Sequence, residues 1–365
     1  MNKSILIISV ESQENLSTIN CCTFDCNKRR ITQCNSLTRG AKATIPYSDI
    51  NSCLHDQNGN KLIDNMYFKI IKQQENCKKK CDCISISLPG IIKNNKEIIT
   101  SSRLGIRNEI AAAKILEEKL RLPNLPIFIF HDTESLLTGE IMALPSILSD
   151  DSSPLVYIFV DEGIGCKIMI DGKFYIGNGT AGALSRFIVQ PDGVYFPDLK
   201  AFGSLEVYAS RPWISRKLVE AFHSEKGKSR FQKRNKEEKK EEFRNTLESL
   251  ANKDTKEWSK VRYNHINLGL QYRDPIALRV IDNAARYLGL AISNIIALIN
   301  PKTILLGGSM ITEVSAFATA SINYARQFSW PTPWNNTNIH ISTLSRSRAQ
   351  IHGTAKLSME KIAPE

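Results

Sequence analysis

DEGIGCKIMIDGKFYIGNGTAG, Asp161 to Gly182, compresses three backbone signals into one block. Gly163 and Gly165 allow a tight turn behind the apolar run Leu155–Val160, which reads as a strand. Lys167–Ile170 reads as the next strand, and Asp171-Gly172 between Ile170 and Phe174 is a strong two-residue hairpin signal. A glycine-rich loop, Gly177 to Gly182, follows. Strand, turn, strand, hairpin and flexible loop in that order describe the start of a folded α/β unit.

Outward from this block, short runs rich in Ile, Val and Phe alternate with helical stretches. Upstream, Ser4–Val10, Cys21–Asp25, Arg29–Gln33, Ile84–Leu88 and Pro126–Phe130 read as strands. Glu109–Lys119 reads as a helix with Ile110, Ala113, Leu116 and Leu120 on one face, and Thr133–Met142 starts another directly after a strand. Downstream, Ile276–Ile299 spaces Ile281, Ala284, Ala285, Leu288 and Ile292 for burial, and leads through Asn300-Pro301 into the strand Thr303–Leu306. Gly307-Gly308, a further helix and a closing helix over Ala349–Lys361 complete the chain. With Asp150–Pro154 as a polar break, the pattern predicts two α/β lobes.

Composition bounds the rest. The 365 residues have room for two domains and a core that needs no disulfide or metal staple. No apolar run approaches the ~20 residues that span a bilayer, since Leu288–Leu306 is interrupted by Ser293, Asn294, Asn300, Pro301 and Lys302. The run Ile5–Val10 is too short for a signal peptide, so the expectation is a cytoplasmic protein without a membrane partner. Net charge is +11, yet the densest stretch, Lys226 to Arg244, interleaves Glu237, Glu238, Glu241 and Glu242 with its lysines and reads as a solvated helix. All nine cysteines lie between Cys21 and Cys166, an odd number that suits reduced thiols. Cys77, Cys81 and Cys83 lack a second pair at zinc-finger spacing and read as plain thiols.

Four segments in order resemble the ROK family of repressors, open reading frames and sugar kinases: His131–Glu140, Asp161–Gly182, Gly203–Ser210 and Asn300–Met310. Ser87–Gly90 (SLPG) fits the same scheme. The resemblance implies a two-lobed, actin-like sugar-kinase fold built of ribonuclease H-like units with a cleft between the lobes. The expected lobes are residues 1–131, completed by a C-terminal helix over 349–362, and residues 132–348.

A kinase of this type needs a base, a phosphate cradle with Mg²⁺ and a nucleotide shelf. The resemblance places the candidate base at Asp132, beside His131 where the family has Asn; Asp132 also suits a helix N-terminus. The family's Asp-x-Gly-Gly-Thr turn is matched by Ser9-Val10-Glu11-Ser12-Gln13, which has neither the carboxylate nor the glycines. Its second phosphate loop becomes Asp161-Glu162-Gly163-Ile164-Gly165, where Gly163 and Gly165 remain but a Glu replaces the threonine, as in the repressor branch. The same glycines also suit a tight strand connection. Gly307-Gly308 is the expected nucleotide shelf, or else a point of close strand-to-helix packing. In the sugar pocket, Ala183 and Arg186 replace the family's Glu and His, and Glu206 is retained, as a sugar contact or a capping residue. Gly90 completes the expected sugar contacts. The three cysteine positions of the family's zinc loop are Pro197, Leu199 and Ser204, so no metal is expected.

These departures lead to the expectation of a catalytically impaired, regulator-like protein that binds a sugar or sugar derivative and needs no cofactor. The alternative is an active ATP-dependent carbohydrate kinase, of glucokinase or N-acetylhexosamine kinase type, using ATP and Mg²⁺. A homodimer is implied by the resemblance. With the first core strand beginning near Ser4, direct DNA binding is not expected.

Overall fold

The computed structural model describes residues 4–13, 16–25, 30–34, 44–45, 58–76, 81–122, 124–144, 153–197, 200–226 and 260–362. The mixed-charge stretch beyond Lys226, and Cys77, lie outside them. The chain forms two compact units: residues 1–149 with 176–180 and 344–365, and residues 150–175 with 181–343.

The first unit opens on β1 (Ser4–Gln13), β2 (Leu16–Asp25), β3 (Arg30–Cys34) and β4 (Thr44–Ile45). Helix α1 (Asn60–Asn76) and β5 (Cys83–Leu88) follow, then the β6–β7 hairpin (Ile91–Lys93, Glu97–Thr100) and α2 (Ala112–Leu120). Next come β8 (Ile127–His131) and α3 (Asp132–Ala143). The main sheet runs β3-β2-β1-β5-β8, with β4 on β2. β1 pairs antiparallel with β2 and parallel with β5, which pairs parallel with β8.

Side chains alternate across this sheet, as period-two geometry requires. Leu6, Ile8, Val10, Ile84, Ile86 and Ile129 bury one face against Ile63, Met66 and Ile70 of α1 and Leu116 of α2. Ile5, Ile7, Phe24 and Cys83 take the other.

In the second unit, β9 (Leu155–Val160), β10 (Ile164–Ile170) and β11 (Lys173–Phe174) form a meander. Asp171 and Gly172 both have positive φ, 50° and 72°, the backbone of the expected two-residue hairpin. A small hairpin, β12 (Tyr195–Phe196) and β13 (Ala201–Phe202), precedes the short α4 (Glu206–Ala209), α5 (Arg211–Lys226) and α6 (Tyr263–Gln271). Helix α7 (Pro275–Ile299) starts at Asp274, whose carboxylate accepts from Ile276 N–H at 2.9 Å, with Pro275 in the first turn. Then come β14 (Thr303–Gly307), α8 (Ser309–Thr312), α9 (Ser315–Phe328), α10 (Pro331–Asn335) and β15 (Asn338–Ile341). The sheet order β11-β10-β9-β14-β15 repeats the order of the first unit. Helix α11 (Arg346–Ile362) returns to the first unit and covers its second face with Ile351 and Ala355.

Three differences from the sequence reading bear on function. β1 continues three residues past Val10 because the ladder with β2 extends to Gln13↔Leu16, overriding the low strand propensity of Glu11, Ser12 and Gln13. The break between the units falls after Ser149 and not at 131/132, because α3 packs in the first unit. Helix α1 was not anticipated, although Leu62, Ile63, Met66 and Ile70 are spaced for one face.

Candidate functional site

In the first unit the parallel ladder sets Leu88 opposite His131, so Pro89-Gly90 and His131-Asp132 lie at neighbouring strand ends, where open α/β sheets gather ligands. Gly90 has φ 149°, and a Cβ there would come within 2.8 Å of Thr100 O. His131 caps α3, and Asp132 occupies its first turn, where the helix dipole favours a carboxylate. Thr133 N–H donates to Asp132 Oδ1 at 2.8 Å, and His131 Nδ1 lies 3.1 Å from the same oxygen. Arg346 Nη2 of α11 is 3.5 Å from Oδ2. Burial alone would raise the Asp132 pKa. The hydrogen bond and charge of His131, with the charges of Arg346 and Arg103, outweigh it and hold the carboxyl well below the usual carboxylate range. Such a group accepts hydrogen bonds well and protons poorly.

In the second unit, the β9–β10 turn carries Asp161 to Gly165. Asp161 N–H donates to Gly163 O at 2.9 Å. Ile164 N–H, between the two glycines, donates to Glu206 Oε2 at 3.0 Å, so the Glu206 carboxylate braces this turn from α4. Glu162 is drawn inward by Arg211, whose Nε and Nη2 meet its two oxygens at 2.5 and 2.7 Å. The pair is 1% and 8% exposed, and Arg211 also donates to Val261 O at 3.0 Å. Tyr263 O–H donates to Asp161 Oδ1, while Ser309 Oγ lies 3.4 Å from Oδ2. Burial, then the charges of Asp161 and Glu162, push the Tyr263 phenol far above its ordinary pKa, so it acts there only as a donor.

Gly307 pairs with Phe159 at the carboxyl ends of β14 and β9. A Cβ on Gly307 would meet the Tyr157 hydroxyl at 2.6 Å and its ring at 2.8 Å, and one on Gly308 (φ 90°) would meet Val160 O at 2.3 Å. Close packing therefore requires both glycines. Arg186 is exposed at the end of a short 3₁₀ turn. Cys166 is buried, and burial pushes its thiol up to about 12, so it is not a nucleophile at neutral pH. Among the described residues no group of three or more His, Cys, Asp or Glu could hold a metal ion. No described helix is long and apolar enough to cross a membrane.

The model of the ROK family matches residues 55–360. The chain belongs to the ROK family. Its relatives include a glucokinase and transcriptional repressors. A glucokinase of Halalkalibacterium halodurans is 25% identical over 280 residues, covering 76% of each chain. The DNA-binding transcriptional dual regulator NagC of Escherichia coli is 27% identical over 232 residues, covering 63% of this chain and 48% of its own length. A ROK glucokinase of Streptomyces griseus, solved with glucose and AMPPNP, superposes with TM-score 0.69 at 18% identity, covering 97% and 98% of the two chains. The fold is thus the actin-like α/β fold of ROK sugar kinases.

Of the ROK positions read from sequence, the first unit brings together His131, Asp132 and the Gly90 backbone; the second brings together Gly163, Gly165, Glu206 and the Gly307-Gly308 turn. Sequence reasoning missed Arg346, Arg103, Arg211 and Tyr263. Each acts across a long sequence separation, Arg211 reaching a carboxylate 49 residues away, and no short spacing announces such a pair.

Proposed function

We propose that this ROK protein is a sugar-binding protein of regulator type in which phosphotransfer is impaired. One observation carries the proposal: the segment at the family's first phosphate turn, Ser9 to Gln13, is continuous β-strand paired residue for residue with β2. A strand directs its amides into the ladder, whereas a phosphate cradle needs consecutive amides converging on one point. Ser9, at the place of the family's metal-organising carboxylate, is 1% exposed. The depressed proton affinity of Asp132 points the same way, since a general base works best with a pKa near the operating pH.

The ligand contacts assigned in the first unit are Asp132, His131 and the backbone at Gly90. Thermal-shift screening with hexoses, N-acetylhexosamines and pentoses tests the proposal, because a ligand selective for the folded state raises Tm. At 100 times its Kd a sugar adds about 2.7 kcal/mol, and Asp132→Asn is expected to abolish most of that gain. Glu206→Ala and Arg186→Ala ask the same question of the second unit. No shift with any sugar rejects the proposal.

Active carbohydrate phosphorylation is the second reading. The Asp132 position and the Gly307-Gly308 turn favour it, as does the likeness to the Halalkalibacterium halodurans glucokinase. Homodimerisation, carried over from the family, is read by sedimentation.

A further inference from the structure

We propose that Arg346 is a positioning residue for Asp132, holding the carboxylate so that Oδ2 is the oxygen presented to a ligand hydroxyl; this rests on the sugar-binding reading above. The two oxygens of Asp132 are not equivalent. Oδ1 takes the Thr133 N–H at 2.8 Å inside the first turn of α3, beside His131 Nδ1, which accepts the same N–H at 3.1 Å. Oδ2 meets Arg346 Nη2 at 3.5 Å, an ion pair looser than the roughly 2.7–2.9 Å of a tight charge-assisted hydrogen bond. The guanidinium therefore orients and neutralises this oxygen without saturating it.

Exposed ion pairs position little, because two long side chains must be ordered in water. This one differs in both respects that matter. Its side chains are 11% and 9% exposed. Its backbone supports are also locked together, because α11 and α3 cross in backbone contact. A Cβ on Gly139 would lie 2.0 Å from Ala349 O, and one on Gly353 would lie 1.7 Å from Ser135 O. Helices touching at this range cannot slide without opening a void or a clash, so Arg346, three residues before Ala349, is carried on a frame fixed relative to α3. The titratable and charged groups facing Asp132 are His131 from the end of β8, Arg346 from α11 and Arg103 from the 3₁₀ turn after β7, all basic.

The test is the pH profile of sugar affinity, measured by calorimetry with the sugar that most raises the wild-type Tm. In His131→Gln, Asp132 keeps both arginines, and affinity is expected to stay within about twofold between pH 7 and pH 5. In His131→Gln/Arg346→Gln, burial outweighs the remaining charge, the carboxyl titrates, and affinity is expected to fall about tenfold or more over that interval. Arg346→Lys in the His131→Gln background returns the flat profile. A double-variant profile that superimposes on that of His131→Gln overturns the proposal. A thermal-unfolding cycle of Asp132→Asn and Arg346→Gln reads the contact without ligand. Coupling of about threefold or more in the unfolding constant is expected, and additivity overturns the proposal. If Arg346→Gln does not fold, Arg346→Met, which keeps the aliphatic stem, replaces it in the cycle. A wild type that binds none of the sugars defeats the functional reading, and the cycle then judges the Arg346 contact on its own.

Discussion

Ser9 is the residue on which the proposed loss of phosphotransfer turns. It lies on the same face of β1 as Ile5 and Ile7, and it pairs with Ser87 of β5 in the parallel ladder. Across from that ladder, Gln350 of α11 donates to Ser87 Oγ at 2.9 Å, and Ser358 donates to Ser85 Oγ at 2.6 Å. Restoring the family carboxylate by Ser9→Asp would therefore put a charge into a closed seam of neutral hydroxyls and an amide. The expected result is a loss of stability on the order of 3 kcal/mol with no gain of ATP turnover, read by denaturant unfolding and a coupled assay. Asp132 yields a second residue-scale prediction. Its folded pKa lies below the ordinary value of 3.8, so its stabilising contribution is complete above that pH and is lost as pH falls towards the folded value. Acid unfolding followed by circular dichroism should be shallower below pH 4 in Asp132→Asn than in the wild type. The sequence already marked Asp132, through the resemblance of His131-Asp132 to the family's pair directly after an apolar strand. Arg346 was invisible there, because its partner lies more than 200 residues away and is met only through the packing of α11.

At the scale of elements, the β9–β10 turn, which the resemblance matches to the family's second phosphate loop, is fastened by acidic side chains. In the sequence Glu162 stands, by the resemblance, where the family has a threonine. In the structure Arg211 neutralises it within the core, so the replacement acts as a brace as well as the loss of a hydroxyl. Arg211→Met strands a buried carboxylate and is expected to cost about 3–5 kcal/mol. The double change Glu162→Gln/Arg211→Met should recover much of that loss, since a neutral pair needs no counter-charge. Equilibrium urea unfolding of the single and double variants distinguishes this from simple loss of packing, in which the two costs would add. The crossing of α3 and α11 is a second element-scale feature. Gly353→Ala drives a methyl into the Ser135 carbonyl, and about 1–3 kcal/mol of overpacking strain is expected in the same measurement. Strands such as Leu155–Val160 were legible because their apolar runs are short and bounded by turn residues. The last three residues of β1 were not, since Glu11, Ser12 and Gln13 become strand only through their partners on β2.

At the scale of the molecule, the same strand order occurs twice, as β3-β2-β1-β5-β8 and β11-β10-β9-β14-β15. Two α/β lobes were legible as an α/β alternation around one diagnostic block, whereas the repeat of the strand order and the unit boundary were not. Helix α3 reads in sequence as the start of the second half, yet its close packing on α11 keeps it in the first. Relatives of both kinds, a glucokinase and NagC, match this chain in sequence, so membership of the family alone does not choose between catalysis and sensing. In the proposed reading the choice falls to the opening strand. Coupled detection of ADP over a panel of hexoses, N-acetylhexosamines and pentoses, each at a concentration that raises Tm, puts it to the most direct test. Sugar binding with ADP release no higher than the sugar-free blank is the expected result; sugar-dependent ADP release that disappears in Asp132→Asn would contradict it.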